Sequence, residues 1–409
     1  MTKAIIIKKQ GGPEVLELSD INLGKPGPDQ IKVKNIAIGL NYIDTYHRSG
    51  LYPLSLPSGI GLEGAGKIIE IGSNVKDLNV GDNVAYAGGP PSSYAEERIL
   101  PAQIAVKIPD GVSHKIAASI MTKGLTSFYL LYKTYKVTSK DVILFHAAAG
   151  GVGQIFSQWA KSLGCKLIGT VGSDEKIAIA KENGCDHVIN YNKQDFVKEV
   201  KDITKGNGVS VVYDGVGKNT FHGSVECLKT RGMMVSFGNA SGPLDPVNVP
   251  KDIQPKSLFL TRPSMNNYFT TRDEVLEGAA KLFEQIKFGK IKIKIFKEYK
   301  LAEAKQAHED LESNKWPSYI YYLMSELISP CISICKTDPV TGYCYGCART
   351  NEEKKIWKNE TTKENWKIEN LQTIQKRMSG WQLETFKESY KHKSIHGISL
   401  FKKDLQSKS

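Results

Sequence analysis

Between Asp141 and Ser173 the chain reads DVILFHAAAGGVGQIFSQWAKSLGCKLIGTVGS, in which Ala148, Gly150 and Gly153 have the spacing of a dinucleotide fingerprint. Small residues at these three places allow a tight turn, a close approach of backbone to a pyrophosphate, and close helix-strand packing. An anion there would meet the amide groups and positive end of the following helix. Further on, where an NAD site places a carboxylate against the ribose hydroxyls, the chain has Gly172 and Ser173, then Lys176. The small residues leave room for a 2′-phosphate. Lys176 offers it a charge-assisted hydrogen bond worth about 1.5–3 kcal/mol, roughly ten- to a hundredfold in favour of NADPH. Asp174 and Glu175 read as first-turn acids of the next helix, with Ser173 as its N-cap. A second group with chemical potential is Cys331, Cys335, Cys344 and Cys347, spaced C-x3-C-x8-C-x2-C. Four thiolates so spaced, with turn residues Asp338-Pro339 and Thr341-Gly342 between the pairs, can fold back into a tetrahedral metal site.

The elements needed to position the glycine turn are legible around it. Val142–Phe145 is a short apolar run suited to a buried parallel strand, 154–163 is a helix closed by Gly164, and 166–171 is a second strand. Together they form a βαβ unit. Residues 1–125 carry short alternating or β-branched runs between Gly and Pro (4–8, 31–38, 66–71 and 83–87), the pattern of a mostly β domain. In 126–263, strands at 211–213, 234–237 and 258–261 extend the sheet begun at Val142 into a doubly wound α/β fold. In 264–325, helices at 272–289 and 301–313 flank a strand-like 291–296, a segment expected to return to the first domain. Residues 326–391 form a cysteine module with one or two small helices, and 392–409 are a Lys-rich tail expected to be disordered.

Composition narrows the class. At 40% hydrophobic content, no apolar run approaches the ~20 residues of a membrane span, the longest candidate being 319–328. The N-terminus MTKAIIIKKQGGPE has no small-residue cleavage site, so a cytoplasmic location is the expectation. The net charge of +12 reads as ordinary solvated lysine, without the dense Lys/Arg patch and interleaved aromatics that nucleic-acid binding needs.

Several ordered motifs now carry a resemblance: GGPEVL (11–16), NYIDTYHRSGLYP (41–53), KGLTS (123–127), HAAAGGVGQ (146–154), GTVGSDEK (169–176) and SFGNASG (236–242). Over roughly residues 1–325 the chain resembles the zinc-independent NADPH:quinone reductases, related to zeta-crystallin, of the medium-chain dehydrogenase/reductase superfamily. That resemblance implies a GroES-like substrate domain in 1–125 and a Rossmann NADPH-binding domain in 126–263. It places the nicotinamide end near Asn41, Asp44 and Thr126 and the pyrophosphate at Gly150, Gly151, Val152 and Gly153. The 2′-phosphate falls at Gly172, Ser173 and Lys176, the adenine side at Tyr191, and the nicotinamide side at Phe237, Gly238 and Asn239. Tyr46 and Tyr52 are assigned to the substrate and its developing oxyanion; packing of this Tyr-rich loop within its own domain is the alternative. His146 is read as a hydrogen-bonded structural residue at a strand end. Zinc-dependent relatives carry ligands where this chain has Asn41-Tyr42-Ile43-Asp44 and Gly61-Leu62-Glu63-Gly64, and no Cys precedes Cys165, so this part should hold no metal. The resemblance also implies a homodimer paired through edge strand 257–262. Residues 329–357, SPCISICKTDPVTGYCYGCARTNEEKKIW, resemble a small four-cysteine bacterial domain family of unassigned function.

The expected activity is transfer of reducing equivalents from NADPH to a quinone without catalytic zinc. Reduction of an enone or alkenal is the enzymatic alternative, and RNA binding with NADPH as a ligand is the non-enzymatic one. Zinc is the first choice for the four cysteines, ahead of an unmetallated turn, an iron–sulfur cluster or disulfides. The module is expected to dock on a protein partner or on the reductase part.

Overall fold

The computed structural model describes residues 1–313, 320–323, 328–359, 362, 364–396 and 398–406. They form two compact units, Met1–Met324 and Ser325–Ser409.

The first unit begins with strands β1 (Thr2–Ile7), β2 (Glu17–Ile21) and β3 (Gln30–Gly39), helix α1 (Tyr42–Ser49), then β4 (Ser58–Gly59), β5 (Glu63–Ile71), β6 (Asn83–Ala87), β7 (Glu97–Pro101) and β8 (Ala105–Lys107). These strands pair antiparallel, with β3 between β5 and β7. Alternation explains the layering along β3, where Ile31 and Val33 are fully buried while intervening lysines reach water. Helix α2 (His114–Tyr129) follows and is buried along most of its length. The expected boundary at 125/126 therefore falls inside a helix. Its Ala117, Ile120, Met121, Leu125 and Phe128 join one continuous core with residues of the following sheet, so a single apolar rod ties the two layers together.

The second sheet comes from β9 (Val142–Phe145), α3 (Gly151–Leu163), β10 (Lys166–Val171), α4 (Glu175–Glu182), β11 (His187–Asn190), α5 (Phe196–Ile203), β12 (Val209–Asp214), α6 (Phe221–Cys227), β13 (Leu228–Ser236) and β14 (Phe259–Thr261). All pairings are parallel in the order β11-β10-β9-β12-β13-β14, a doubly wound sheet whose order reverses beside β9. Strand β9 is covered on both faces, which is why it reads as an unbroken apolar run. Helix α3 buries Ile155, Phe156 and Trp159 completely, about 1.5–3 kcal/mol for each side chain. It ends at Gly164, left-handed at φ +78, but starts three residues earlier than its apolar periodicity suggests, because Gly151, Val152 and Gly153 already take helical geometry.

After β14 come α7 (Met265–Tyr268), α8 (Arg272–Lys287), β15 (Lys297–Lys300), α9 (Ala304–Glu312) and β16 (Ile320–Leu323). The strand expected at 291–296 lies instead at β15. In that earlier segment Ile291 is buried, and Ile293, Ile295 and Phe296 pack on the core. The backbone of Lys292 is met by the Gln158 side chain rather than by a neighbouring strand, donating to Oε1 at 2.8 Å and accepting from Nε2 at 3.2 Å. Strands β15 and β16 pair parallel, β16 pairs with β3, and Tyr299, Leu301, Ala304, Ala307 and Leu311 pack with Ile5, Ile7, Ile38 and Leu40.

The second unit holds α10 (Asn351–Lys358), α11 (Glu364–Lys376), α12 (Gly380–His396) and α13 (Leu400–Gln406), more helix than the sequence suggested. Its core joins Ile332, Cys344, Cys347 and Ala348 to Ile374, Met378 and Phe386. The tail expected to be disordered carries α13. Buried Ser399 starts that helix by accepting from the Lys402 amide at 3.3 Å, and its hydroxyl also bonds Ser333 at 2.8 Å. The 325/326 boundary, part of the apolar run 319–328 and the last residues of the tail lie outside the described residues. Among the described residues no helix is long and apolar enough to cross a membrane.

Candidate active site

A cleft of about 930 Å³ opens at the carboxyl ends of the parallel strands, with Leu40, Asn41, Tyr42 and Lys123 of the first domain forming one wall. Its middle is the turn between β9 and α3. Gly150 stands at the N-cap of α3, at the positive end of the helix, with no side-chain capping bond of its own. A methyl group on Gly153 would lie 2.6 Å from the carbonyl oxygens of both Ala147 and Ala148, so this turn closes only around hydrogen. The left-handed residue of the turn is Ala147, at φ +57, a non-glycine in a sparsely populated region beside a ligand cradle.

Beyond β10 the cleft is lined by Gly172, Ser173, Lys176 and Tyr191, where the Tyr191 hydroxyl would lie 3.0 Å from a Cβ on Gly172. Burial lowers the Lys176 ammonium from its usual range, which favours taking up an anion. The expected capping roles of the neighbouring acids need correction. Helix α4 takes Asp174, not Ser173, as its N-cap, with no side-chain capping bond. The Asp174 carboxylate instead accepts from Asn190 Nδ2 at 2.7 Å and pairs with Lys193 at 2.5 Å, which turns its charge to an exposed ion pair. Glu175 remains on the cleft wall next to Lys176.

On the far side of the sheet, Phe237 lines the cleft, and Asn239 bonds the substrate loop. The Asn239 amide donates to the Tyr46 hydroxyl at 3.2 Å, and its Nδ2 reaches the Tyr52 hydroxyl at 3.4 Å. Arg262 donates to Tyr52 at 3.2 Å while bonding the carbonyls of Ser236 and Gly238 at 3.0 and 2.9 Å. The two tyrosine rings meet edge to face, their centroids 5.2 Å apart. Burial raises the Tyr46 phenol, keeping it a proton donor.

Asn41, Gly150, Gly151, Val152, Gly153, Gly172, Ser173, Lys176, Tyr191 and Phe237 thus share one cleft. Thr126, on buried α2, Gly238, Asn239 and the two tyrosines assigned to the substrate, Tyr46 and Tyr52, are not among its lining. Asp44 departs most from expectation. It is fully buried, and its Oδ2 accepts from the Asn41 amide and the Tyr94 hydroxyl, both at 2.9 Å, so its carboxylate belongs to a helix cap rather than to a ligand. Spacing alone could not show this, since a polar residue three after Asn41 serves a cap or a ligand equally well. His146 is fully buried, bonded to Thr170 at 2.8 Å and Ser224 at 2.9 Å, a structural histidine.

Behind α1, Arg48 donates to His308 Nδ1 at 2.9 Å, so Nε2 carries the proton and donates to the Tyr94 oxygen at 3.1 Å. Burial and the Arg48 charge push His308 down to about 3, and burial pushes Asp44 up to about 7. The two linkages oppose each other. Asp44, raised above its unfolded value, loses stability for the native state as pH rises from about 4 to 7. His308, lowered below its unfolded value, adds stability as pH rises from about 3 to 6.5. Asp44→Asn should therefore uncover a stability that climbs between pH 4 and 6.5 by up to about 1 kcal/mol per pH unit, seen as a rising melting temperature where the parent is flatter. Thermal melts across that range check this, and parallel profiles for the two proteins would refute it.

Zinc does not fit the cleft. The Glu63 carboxylate is saturated by Asn41 Nδ2 at 2.7 Å, the Thr122 amide at 2.9 Å and Lys123 at 3.5 Å, and that ammonium repels a second cation. Among the described residues no group of three or more His, Cys, Asp or Glu side chains converges to hold a metal. In the second unit the cysteines stand as free thiols: Cys331 and Cys335 sulfurs are 3.8 Å apart, Cys344 donates to the Ile334 carbonyl at 3.1 Å, and Cys347 accepts from Arg349 at 3.2 Å.

Residues 27–110 match the family described as alcohol dehydrogenase GroES-like domain, 151–285 the family described as zinc-binding dehydrogenase, and 329–378 a family of unknown function, DUF1289. A quinone oxidoreductase of Pseudomonas aeruginosa is 47% identical over 316 residues, 77% of this chain and 97% of the relative. A 2-haloacrylate reductase of Burkholderia sp. is 42% identical over 316 residues, 76% of this chain and 95% of the relative. The crystal structure of Escherichia coli quinone oxidoreductase complexed with NADPH superimposes with a TM-score of 0.77 at 46% identity, covering 78% of this chain and 99% of that one.

Proposed function

Since this chain belongs to the quinone oxidoreductases of the medium-chain dehydrogenase/reductase superfamily, we propose that it passes reducing equivalents from NADPH to a quinone without catalytic zinc. The polarity of the cleft carries this reading. A glycine cradle at a helix start occupies its middle and Ser173 and Lys176 one end, while Tyr46 and Tyr52, outside the lining, are tied through Asn239 and Arg262 to the segment that carries Phe237. When bound, NADPH supplies the hydride. The chain's own residues do the rest: Gly150–Gly153 hold the pyrophosphate, Ser173 and Lys176 the 2′-phosphate, Tyr191 borders the adenine, and Asn41 and Phe237 flank the nicotinamide. Tyr46 and Tyr52, fixed by Asn239 and Arg262, border a flat ring and donate to the oxygen where charge develops. A quinone becomes an aromatic phenolate of low basicity, so no Lewis acid is required.

Hydride delivery to the β-carbon of an activated alkene uses the same geometry, and the likeness to a 2-haloacrylate reductase supports it as the second reading. The edge strand β14, with Phe259 and Leu260 exposed, supports pairing of two copies there. None of the seven cysteines is in a disulfide, in keeping with the reducing cytoplasm. For the second unit we propose structural zinc on Cys331, Cys335, Cys344 and Cys347. The 3.8 Å between the Cys331 and Cys335 sulfurs is the edge of a tetrahedron with Zn–S bonds of about 2.3 Å. Buried Arg349 and half-buried Lys393, which bonds the Cys331 carbonyl at 2.8 Å, support negative charge on the sulfurs.

The test is oxidation of NADPH and of NADH with 1,4-benzoquinone and with an enone, before and after a chelator, with zinc content measured alongside. NADPH should be preferred at least about tenfold, the quinone should be the better acceptor, and the chelator should remove about one zinc per chain with turnover unchanged. Turnover lost with the metal would sink the zinc-free mechanism, and metal-free protein would sink the zinc assignment.

A further inference from the structure

Lys123 is a cation in the cleft wall for which neither the glycine cradle nor the tyrosine loop accounts. It leaves α2 and lines the cleft together with Asn41 and Tyr42, and its side chain is 5% exposed. Its partner Glu63 is completely buried, yet the carboxylate spends its short bonds elsewhere, on Asn41 Nδ2 at 2.7 Å and the Thr122 amide at 2.9 Å. The ammonium stands 3.5 Å from that carboxylate and 3.3 Å from the Leu40 carbonyl, both longer than the roughly 2.7–2.9 Å of a charge-assisted hydrogen bond. An ammonium has three donors, and these two contacts are weak. A charge withdrawn from water and weakly paired is costly to keep unless it meets a further anion. The wall that holds it faces the space where, on the reading above, the quinone meets the cofactor.

Resting on that reading, we propose that the Lys123 ammonium is a catalytic residue that donates a hydrogen bond to the quinone oxygen on which negative charge develops. The nicotinamide C4–H bond would break as the hydride passes to one quinone oxygen, NADPH being oxidised to NADP+; the ring becomes aromatic, the π pair of the opposite carbonyl moves onto its own oxygen beside Lys123, and the hydroquinone leaves as its monoanion to be protonated by water. No proton need leave Lys123. Glu63 keeps the ammonium in place, and Asn41 holds Glu63, so those two act as positioning residues.

Lys123→Met keeps the stem and removes the charge, and Lys123→Met/Glu63→Gln removes the carboxylate's charge as well, so one protein of the pair is free of a lone buried ion. Each is compared with the parent for NADPH affinity and for kcat with a series of quinones whose hydroquinones differ in basicity. Loss of the donor should lower kcat about 10- to 100-fold for quinones that give basic hydroquinone anions. The loss should shrink to a few-fold for halogenated quinones that give weakly basic anions, while NADPH affinity stays within about twofold. Lys123→Arg should recover part of the rate. An equal loss with every quinone, an unchanged rate, or a matching fall in NADPH affinity would overturn the proposal in favour of a structural ion pair or a cofactor contact. Absence of quinone turnover by the parent protein would instead overturn the functional reading, and this inference with it.

Discussion

Gly153→Ala should abolish useful NADPH binding, weakening it by at least about a hundredfold, while leaving a folded protein. The added methyl would lie 2.6 Å from two backbone carbonyl oxygens, Ala147 and Ala148, neither of which can rotate away as a side chain would. Relief requires the turn to open or α3 to retreat from β9, and overpacking of this kind costs about 1–3 kcal/mol. Either movement also misplaces the amides that hold the pyrophosphate. Gly150→Ala should do less, because its methyl meets only the Ala147 oxygen, at 3.0 Å. Fluorescence titration with NADPH, beside thermal melts to confirm folding, gives both values. Equal affinities for Gly153→Ala and the parent would mean that the cofactor does not use this turn.

Lys176→Ala should weaken NADPH by about 10- to 100-fold and NADH by less than about twofold, because the lysine's charge would meet the 2′-phosphate that NADH lacks. Asp174 does not compete for it, being held by Lys193 and Asn190. The pH dependence adds an independent check. Burial lowers Lys176 from the usual lysine range, so in the parent NADPH affinity should fall at alkaline pH earlier than NADH affinity does. The variant should lack that extra limb. Parallel losses for the two cofactors would refute the phosphate assignment and turn attention to Ser173 and to Glu175 on the same wall.

How much of this was legible beforehand follows from which interactions are local. The βαβ unit and its glycine turn were readable because strand, turn and helix signals lie next to one another between Val142 and Val171, and parallel strands buried on both faces advertise themselves as apolar runs. The strand in the 291–300 segment was misplaced because alternating isoleucines suit a core-packed loop as well as a strand, and the Gln158 side chain that satisfies its backbone lies far away in sequence. The second unit yielded its cysteines and the helical character of 351–390 but too little helix, since Ile374, Met378 and Phe386 are held by packing against Cys344 and Cys347 more than by a clear periodicity.

The sequence by itself determined the fold class and the glycine turn between β9 and α3, and it offered Ser173 and Lys176 for a 2′-phosphate, because each of these is written in residue types at short spacing. Only the tertiary structure decided that Asp44 is a buried cap, that Asn239 and Arg262 hold the two tyrosines, and that Lys123 stands in the cleft wall against Glu63. Those arrangements join residues from 50 to 210 positions apart, or turn on which way a carboxylate faces. Burial and side-chain direction of that kind arise when strands and helices close on one another, and a linear pattern does not carry them.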